Sequence, residues 1–354
     1  MKKTKIIVPA MALLALGTAA SVTGTVAWFS LNTSVSLTGM TVHTQVSSNL
    51  MIANGAAGTT SVGDANFSSS AVNAIGDKIL EPVSTVNGVD FFYTVNGKAD
   101  GDATTDDYVA YNESAFQTAY GVPTAVGYVD YIFELKAVNA DQSNAKYIDL
   151  SKVDIVYTGA STDESKAFRF ATFIQEGTYD GSGALTGYNA LGSSATCIMD
   201  MTGSLNQTAD YAVSAAGTAP TAISIMANSS LTSMQVPART TKYFKVTQRL
   251  YLEGEDKTCT NETFLPLTDA WNIYIKYDLQ ASNSGSLTEI SKFAAQSVNL
   301  NSTATALYKD GAGDLYSVAT GLKINNGSVI PEATLTAEEL TALNSAFSTS
   351  FTRG

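Results

Sequence analysis

The sequence predicts an all-β protein, a β-sandwich of the jelly-roll or Greek-key type with long loop elaborations and a short C-terminal helix. Three observations support this prediction. Apolar and polar residues alternate over several short segments, long stretches rich in Gly, Ser, Thr, Asn and Asp separate these segments, and helix signals are scarce. A period of two sends successive side chains to opposite faces of a strand, so each segment can bury one face.

The composition restricts the possible partners. Of 354 residues, 45% are hydrophobic and only 15% are charged, which suits sheets joined by polar turns. The 32 Asp and Glu residues outnumber the 20 Lys and Arg residues, giving a net charge of -12. A surface of that sign repels phosphate backbones and anionic lipid headgroups, which argues against nucleic-acid binding.

The N-terminus has the pattern of an export signal. Lysines precede an apolar run over residues 6–20, and small residues follow it up to Ala27. Pro9 and Gly17 interrupt the run, so it is poorer than a permanent membrane span requires. We therefore expect residues 1–27 to be cleaved, leaving a secreted or cell-surface chain with no stable membrane span.

Residues 28–48, the N-terminal ribbon, come next and read as one extended strand. Its polarity alternates and changes phase at Gly39, where a bulge or kink would reconcile the two phases. A strand of this kind either adds to an open sheet edge of a neighbouring subunit or pairs inside its own sheet. The apolar residues expected to drive such pairing are Trp28, Phe29, Val35, Leu37, Met40 and Val42.

The sandwich itself is predicted within residues 49–285, with insertions at about 55–125 and 177–235. Strands are expected over residues 129–137, 147–157, 167–174, 243–252 and 271–279.

Three of these strands show the alternation most clearly. The side chains expected on one face are Val129, Tyr131, Phe133, Leu135 and Ala137 in the first, Phe244, Val246, Leu250 and Leu252 in the second, and Trp271, Ile273, Ile275, Tyr277 and Leu279 in the third. The opposite faces carry charges, including Asp130, Glu134, Lys245 and Arg249. We interpret these as half-buried strands with a polar outer face.

Residues 286–354 are predicted to be a C-terminal extension. Thr336 and Glu339 match a capping box, which predicts a helix over residues 337–346. A second, shorter helix is expected near residues 287–296.

Catalytic chemistry has little support in this sequence. His43 is the only histidine, so one chain cannot build a histidine-based triad or a zinc site with several imidazoles. The common motifs of metalloproteases, serine hydrolases and nucleotide-binding proteins are absent. We predict that the protein is not an enzyme and needs no cofactor.

Two acidic segments are the candidates for cation binding. Asp100, Asp102, Asp106 and Asp107 crowd one loop, and clustered carboxylates suit calcium, although their spacing departs from the EF-hand pattern. A solvated acidic loop is the alternative. The turn over residues 253–256 is likewise either a cation site or an ordinary acidic turn.

Cys197 and Cys259 are the only two cysteines. In an exported chain they could form a disulfide or remain two free thiols, and the sequence leaves both open.

Two segments of the chain resemble a known family. The leader ends in Ala27, an aromatic pair follows at Trp28 and Phe29, and a strand comes next; a second segment spans residues 249–256 and the strand over 271–279. Both are similar to TasA/camelysin-type (spore-coat-associated) exported proteins. The resemblance implies a jelly-roll subunit of an extracellular, biofilm-matrix-like fibre, in which the N-terminal strand of one subunit completes the sheet of the next.

Other interpretations of the same sequence remain open. A non-polymerising surface adhesin or a virion structural protein could use the same fold. Some members of the family are described as metalloproteases, but this chain has no histidine pair to support that activity.

Overall fold

The computed structural model describes residues 41–46, 49–74, 78–94, 108–157, 167–201, 210–218, 220–223, 234–256, 259, 271–282, 289–331 and 335–354. The predicted leader, most of the N-terminal ribbon and the loop around Asp100 lie outside these residues. In the described part the chain is mostly β-strand, with two α-helices.

The elements follow one another along the chain in this order: β1 (Thr41–Val46), β2 (Leu50–Asn54), β3 (Ser70–Ala74), β4 (Ile79–Leu80), β5 (Phe92–Thr94), β6 (Tyr108–Ala110), α1 (Glu113–Tyr120), β7 (Ala125–Val126), β8 (Tyr128–Asn139), β9 (Lys146–Tyr157), β10 (Phe168–Tyr179), β11 (Leu185–Tyr188), β12 (Cys197–Met201), β13 (Asp210–Ala212), β14 (Thr221–Ile223), β15 (Gln235–Val236), β16 (Thr240–Leu252), β17 (Trp271–Gln280), β18 (Glu289–Ala294), β19 (Gln296–Leu300), β20 (Thr303–Lys309), β21 (Leu315–Ser317), β22 (Val329–Ile330), α2 (Ala337–Phe347) and β23 (Thr352–Arg353). A short 3₁₀ helix spans Asp64–Asn66.

The long strands form two packed sheets. Sheet I has the order β2-β8-β16-β10-β12, with antiparallel neighbours. Sheet II has the order β9-β17-β1-β3. Strand β18 joins the two sheets, because its first residues pair with β12 and its later residues pair with β9. The chain passes between the sheets from β8 to β9, back to β10, and again from β16 to β17, so the predicted all-β sandwich is confirmed.

The inner faces of the two sheets meet in the main hydrophobic core. Sheet I contributes Tyr131, Phe133, Leu135, Phe170, Phe244, Val246 and Leu250, and sheet II contributes Ile148, Leu150, Val153, Ile155, Ile273, Ile275 and Tyr277. These include most of the side chains that the alternation assigned to the inner face. One polar chain crosses the core, in which Gln248 accepts a bond from Thr172 Oγ1 at 2.7 Å and donates to Tyr277 Oη at 2.8 Å.

Strand β9 contains a bulge that decides which of its side chains face out. Leu150 pairs with Tyr277 and Lys152 pairs with Lys276, which leaves Ser151 as the extra residue. The bulge shifts the inward phase, so that Leu150 and Val153 both enter the core. Because successive side chains of a strand point to opposite faces, Val153 points into the core and its neighbours Lys152 and Asp154 point to the outer face of sheet II.

A second layer covers the outer face of sheet I. Phe91, Tyr93 and Phe116, from the segment predicted as the first insertion, pack against Phe173 and Tyr251 of the sheet. Helix α1 supplies Phe116; the Asn112 side chain caps it, and Gly121 ends it in a left-handed conformation at φ 69°. In its described residues, this insertion therefore includes an ordered layer that packs on the sheet.

The C-terminal extension folds around a core of its own. Strands β19, β20 and β21 form a small sheet, and α2 packs against β19. The predicted capping box is present, since Thr336 Oγ1 accepts from Glu339 N at 3.2 Å and Glu339 Oε2 accepts from Thr336 N at 2.8 Å. We refer to residues 296–354, in the described part, as the C-terminal module.

One helix prediction is wrong. Residues 287–296 do not form a helix where they are described, because Glu289–Ala294 is the strand β18 and β19 begins at Gln296. The first residues of β18 pair with β12 and the later ones with β9, and this tertiary context overrides the local helix preference.

The core predicts the cost of a large truncation. Phe133 is fully buried between the sheets, so Phe133→Ala should lower the free energy of unfolding by about 3–5 kcal/mol. Val72→Ala is the control, because Val72 on the edge strand β3 is 51% exposed and should lose about 0.5 kcal/mol or less. Urea unfolding followed by far-UV circular dichroism measures both. Equal losses in the two variants would contradict the described core.

Candidate functional site

The N-terminal ribbon enters the structure at one end of sheet II. Strand β1 runs parallel to β17 and antiparallel to β3, with Thr41 opposite both Asn272 and Ala74. Strand β17 begins at Trp271 and β3 ends at Ala74, so Thr41 lies at the margin of the described sheet.

The structure places the predicted pairing residues unevenly. Val42 lies in β1, inside the chain's own sheet, opposite Ile273 and Asn73. Own-sheet pairing is thus observed for residues 41–46, one of the two alternatives that the sequence left open. Trp28, Phe29, Val35, Leu37 and Met40 lie outside the described residues. The single histidine, His43, is in β1 opposite Tyr274 and Val72.

The outer face of sheet I is a second feature of functional interest, because its charges are buried. Glu134 and Lys245 are both 0% exposed, and Arg249 is also buried. The alternation had predicted a polar outer face on half-buried strands, and this expectation is wrong for these residues. The alternation along a strand shows which face is polar, but it does not show whether another layer of the protein covers that face and keeps water away from it.

Each of these charges has partners. Lys245 Nζ donates to the carbonyls of Ala56, Gly58 and Thr60 at 3.0, 3.1 and 2.6 Å, and lies 3.5 Å from Glu134. Three surrounding carbonyls and one carboxylate compensate the loss of water around a buried ammonium.

Glu134 and Arg249 anchor the covering segments in the same way. Glu134 accepts from Ser61 Oγ at 3.0 Å, from Val62 N and from Tyr188 Oη at 2.8 Å. Arg249 makes a two-bond contact with Asp130 at 2.7 and 2.8 Å. Its guanidinium carbon also lies 3.9 Å from the centre of the Tyr128 ring. Arg249 Nη1 also donates to the carbonyl of Gly88 at 3.0 Å, so the loop after β2 and the second layer are both attached to the sheet through charges.

The acidic turn over residues 253–256 closes β16 and is also buried. Asp256 pairs with Arg169 at 2.7 Å, and both side chains are almost fully enclosed. Glu255 accepts from Tyr108 Oη at 2.8 Å. The turn interpretation is supported by the bond from Asp256 N to the carbonyl of Glu253. In the described part of the chain, no group of three histidine, cysteine or acidic side chains is arranged to hold a metal ion.

Near this turn, one buried glutamate has no hydrogen bond in the described residues to compensate for the burial of its carboxyl group. Both carboxyl oxygens of Glu81 are buried and make no hydrogen bond within the described residues. Burial raises the pKa of Glu81 to about 8. Burial likewise raises the pKa of Glu253 to about 8 and that of Glu255 to about 7. The sequence analysis did not identify Glu81, although a single acidic residue in the apolar segment from Leu80 to Val83 indicates that its side chain is buried.

The two cysteines are both buried free thiols. The disulfide that the sequence left open is therefore not formed in the structure. Burial raises the pKa of the Cys197 thiol to about 11. It also raises the pKa of Cys259, with the carboxylates of Asp256 and Glu253 adding to the effect. Neither thiol is poised for reaction, because the thiolate is the reactive form.

The calcium candidates Asp100, Asp102, Asp106 and Asp107 lie outside the described residues. Among the described helices, none is both long enough and apolar enough to cross a membrane.

Comparisons with known proteins identify no relative: no family model, no curated protein and no solved structure matches this chain. The resemblance to TasA/camelysin-type proteins remains a prediction from the sequence.

The buried glutamates predict an unusual pH dependence. Since the folded pKa of Glu81 lies above its ordinary value of 4.5, the folded state holds a proton that the unfolded state releases between pH 4.5 and about 8. The stability contribution is therefore complete below pH 4.5 and is lost as the pH rises through 8. We expect the free energy of unfolding to fall from pH 5 to pH 8.

Glu81→Gln tests the source of this fall. The amide cannot ionise, so the variant should lose less stability than the wild type between pH 5 and pH 8, measured by urea unfolding at each pH. Glu338→Gln is the control, because Glu338 is exposed on α2, and its curve should follow the wild type. If Glu81→Gln shows the same pH dependence as the wild type, the burial of Glu81 is not its cause.

Proposed function

We propose that the mature chain is a structural subunit of an extracellular or cell-surface filament, such as a biofilm-matrix fibre, and that it assembles head-to-tail with copies of itself by donating its N-terminal strand. The observation that carries the proposal is the position of β1. Thr41, the first residue of β1, pairs with Asn272 near the start of β17 and with Ala74 at the end of β3, so a donor segment before Thr41 would join the sandwich at this end of sheet II.

The pairing needs of the ribbon support donation to a neighbour. In the described part of the chain, both partners of β1 stop close to Thr41, since β17 begins at Trp271 and β3 ends at Ala74. The apolar alternation continues upstream through Met40, Leu37 and Val35. An edge strand of another subunit would satisfy the backbone groups of these residues and would bury their side chains.

The length and polarity of the donated segment fit this role. Residues 28–40 would extend over roughly 40 Å at about 3.3 Å per residue, which is comparable to the length of the longest strand of the sandwich, β16. Each large apolar side chain contributes about 1.5–3 kcal/mol when fully buried. A contact between one end of a subunit and the opposite end of the next is open, and it propagates into a filament.

Secretion belongs to the same proposal. The leader pattern of residues 1–27 and the small-residue site at Ala27 would release a chain beginning at Trp28. The net charge of -12 would keep such subunits soluble before assembly.

Deletion of residues 28–40 tests the mechanism and leaves β1 in place. We expect the mature wild type to form fibres in negative-stain electron microscopy, and the deletion variant to remain monomeric in size-exclusion chromatography with an unchanged circular dichroism spectrum. Deleting β1 as well would be less informative, because β1 belongs to the chain's own sheet. Fibres of the deletion variant would overturn strand donation.

A charge scan gives the matched control. Leu37→Asp places a charge on the apolar face of the ribbon and should reduce fibre formation by about tenfold or more, because a buried unpaired carboxylate is costly. Ser36→Asp, on the opposite face, should leave assembly nearly unchanged. Equal effects of the two variants would contradict a one-sided buried strand. A wild type that stays monomeric at every concentration would favour the adhesin alternative.

A further inference from the structure

The outer face of sheet II holds a lysine, Lys152, whose side chain is 18% exposed but whose Nζ atom is buried where the C-terminal module covers it. Lys152 Nζ lies 3.5 Å from the centre of the Tyr316 ring and 5.3 Å from that of Tyr308. Tyr308 stacks in turn on Tyr274 of β17, with ring centres 5.2 Å apart. The amine group is thus covered by two aromatic rings of the module, and one of these rings stacks on the sandwich.

Two carboxyl groups face this amine. Asp154 Oδ2 lies 2.6 Å from Lys152 Nζ, and Asp310 Oδ2 lies 3.7 Å from it. The contact with Asp154 is close but poorly directed, so within the described residues the buried Nζ atom makes an ion pair without a well-directed hydrogen bond. Once the amine loses a proton, a small movement of the side chain brings its nitrogen lone pair to the Asp310 carboxyl.

The Asp310 carboxyl is held in a fixed orientation. Its Oδ1 atom accepts from the backbone N–H groups of Ala312 at 3.0 Å and Asp314 at 2.9 Å, in the turn between β20 and β21. Two backbone donors on one carboxyl oxygen stabilise negative charge that develops there when the carboxyl carbon is attacked. The other oxygen, Oδ2, faces the lysine.

Asp154 is the carboxyl group closest to the amine. Burial raises the pKa of Asp154 to about 6, although Lys152 and Tyr308 act in the opposite direction. Asp154 can therefore take up and release a proton next to the amine.

We propose that Lys152 and Asp310 condense into an intramolecular amide bond that joins β9 to the C-terminal module, with Asp154 transferring the protons. The neutral amine attacks the Asp310 carboxyl carbon, and the new N–C bond forms. The bond from that carbon to Oδ2 breaks; Oδ2, which carries the proton of the carboxylic acid, takes up by way of Asp154 the one proton that the amine nitrogen loses, and leaves as water. One amine and one carboxylic acid give one amide and one water, with no oxidation or reduction.

The released water has a place to go. Lys152, Tyr308 and Tyr316 line a cavity of about 150 Å³ that is also bordered by the half-exposed side chains of Lys276 and Lys323. The proposal concerns a bond within one chain, so it holds or fails independently of filament assembly.

Mass spectrometry of the full chain tests the bond directly. We expect an intact mass lower by one water than the mass calculated for the N-terminus actually present. We also expect a proteolytic digest to contain one cross-linked peptide pair in which Lys152 is joined to Asp310. A full-mass wild type without this cross-linked pair overturns the proposal, whatever the variants do.

Variants assign the roles. Lys152→Arg and Asp310→Ala should each restore the missing water, and Asp154→Asn should lower the cross-linked fraction by about tenfold or more while the fold, followed by circular dichroism, is retained. The matched control is Lys276→Arg, because Lys276 forms a similar pair with Asp278 at 3.0 Å, two residues along the strand, but is 45% exposed. It should keep the wild-type mass loss. Full cross-linking in Asp154→Asn would remove Asp154 from the mechanism.

Discussion

The architecture depends on the requirement that every charge on the outer face of sheet I be paired once that face is covered. Lys245, Glu134 and Arg249 can be buried only because carbonyls, hydroxyls and carboxylates surround them. These partners come from the loop after β2, from β8 and from β11. The same contacts therefore fix the covering segments on the sheet, so the elaborations are as much part of the fold as the strands. Removing a single partner would leave a charge in a site without water.

Glu81 and Lys152 show two other outcomes of the same constraint. Glu81 lacks any hydrogen-bond partner in the described part of the chain, and its burial raises its pKa to about 8, so that its ionisation lowers the stability of the fold. Lys152 has ring faces and carboxyl groups around it but no well-directed bond. Paired charges stabilise an interface, whereas poorly compensated groups make it sensitive to pH or open to reaction. Paired charges thus attach the covering segments to sheet I, whereas Glu81 and Lys152 are poorly compensated groups that lie where further segments pack on the sandwich.

The sequence predicted the sandwich because alternation with a period of two marks which face of β8, β16 and β17 meets the core. It misjudged the opposite face, since Glu134 and Lys245 look the same in a sequence whether water or a covering layer meets them. Helix α1 was missed because Phe116 is its only buried residue, although Asn112 and Gly121 are a cap and a stop. The burial of Glu81 and the meeting of Lys152 with Asp310 depend on long-range contacts, which a single sequence does not encode locally.

The parallel pairing of β1 with β17 also has a mechanical consequence. When tension is applied to the chain before Thr41 along the direction of β1, the force is nearly perpendicular to the hydrogen bonds between β1 and β3. The same force is oblique to the slanted hydrogen bonds between β1 and β17. Such a pull strains all the bonds of the strand together, in shear, whereas a pull across the strand would open them one after another. Between successive subunits of a fibre, β1 would therefore act as the force-bearing anchor.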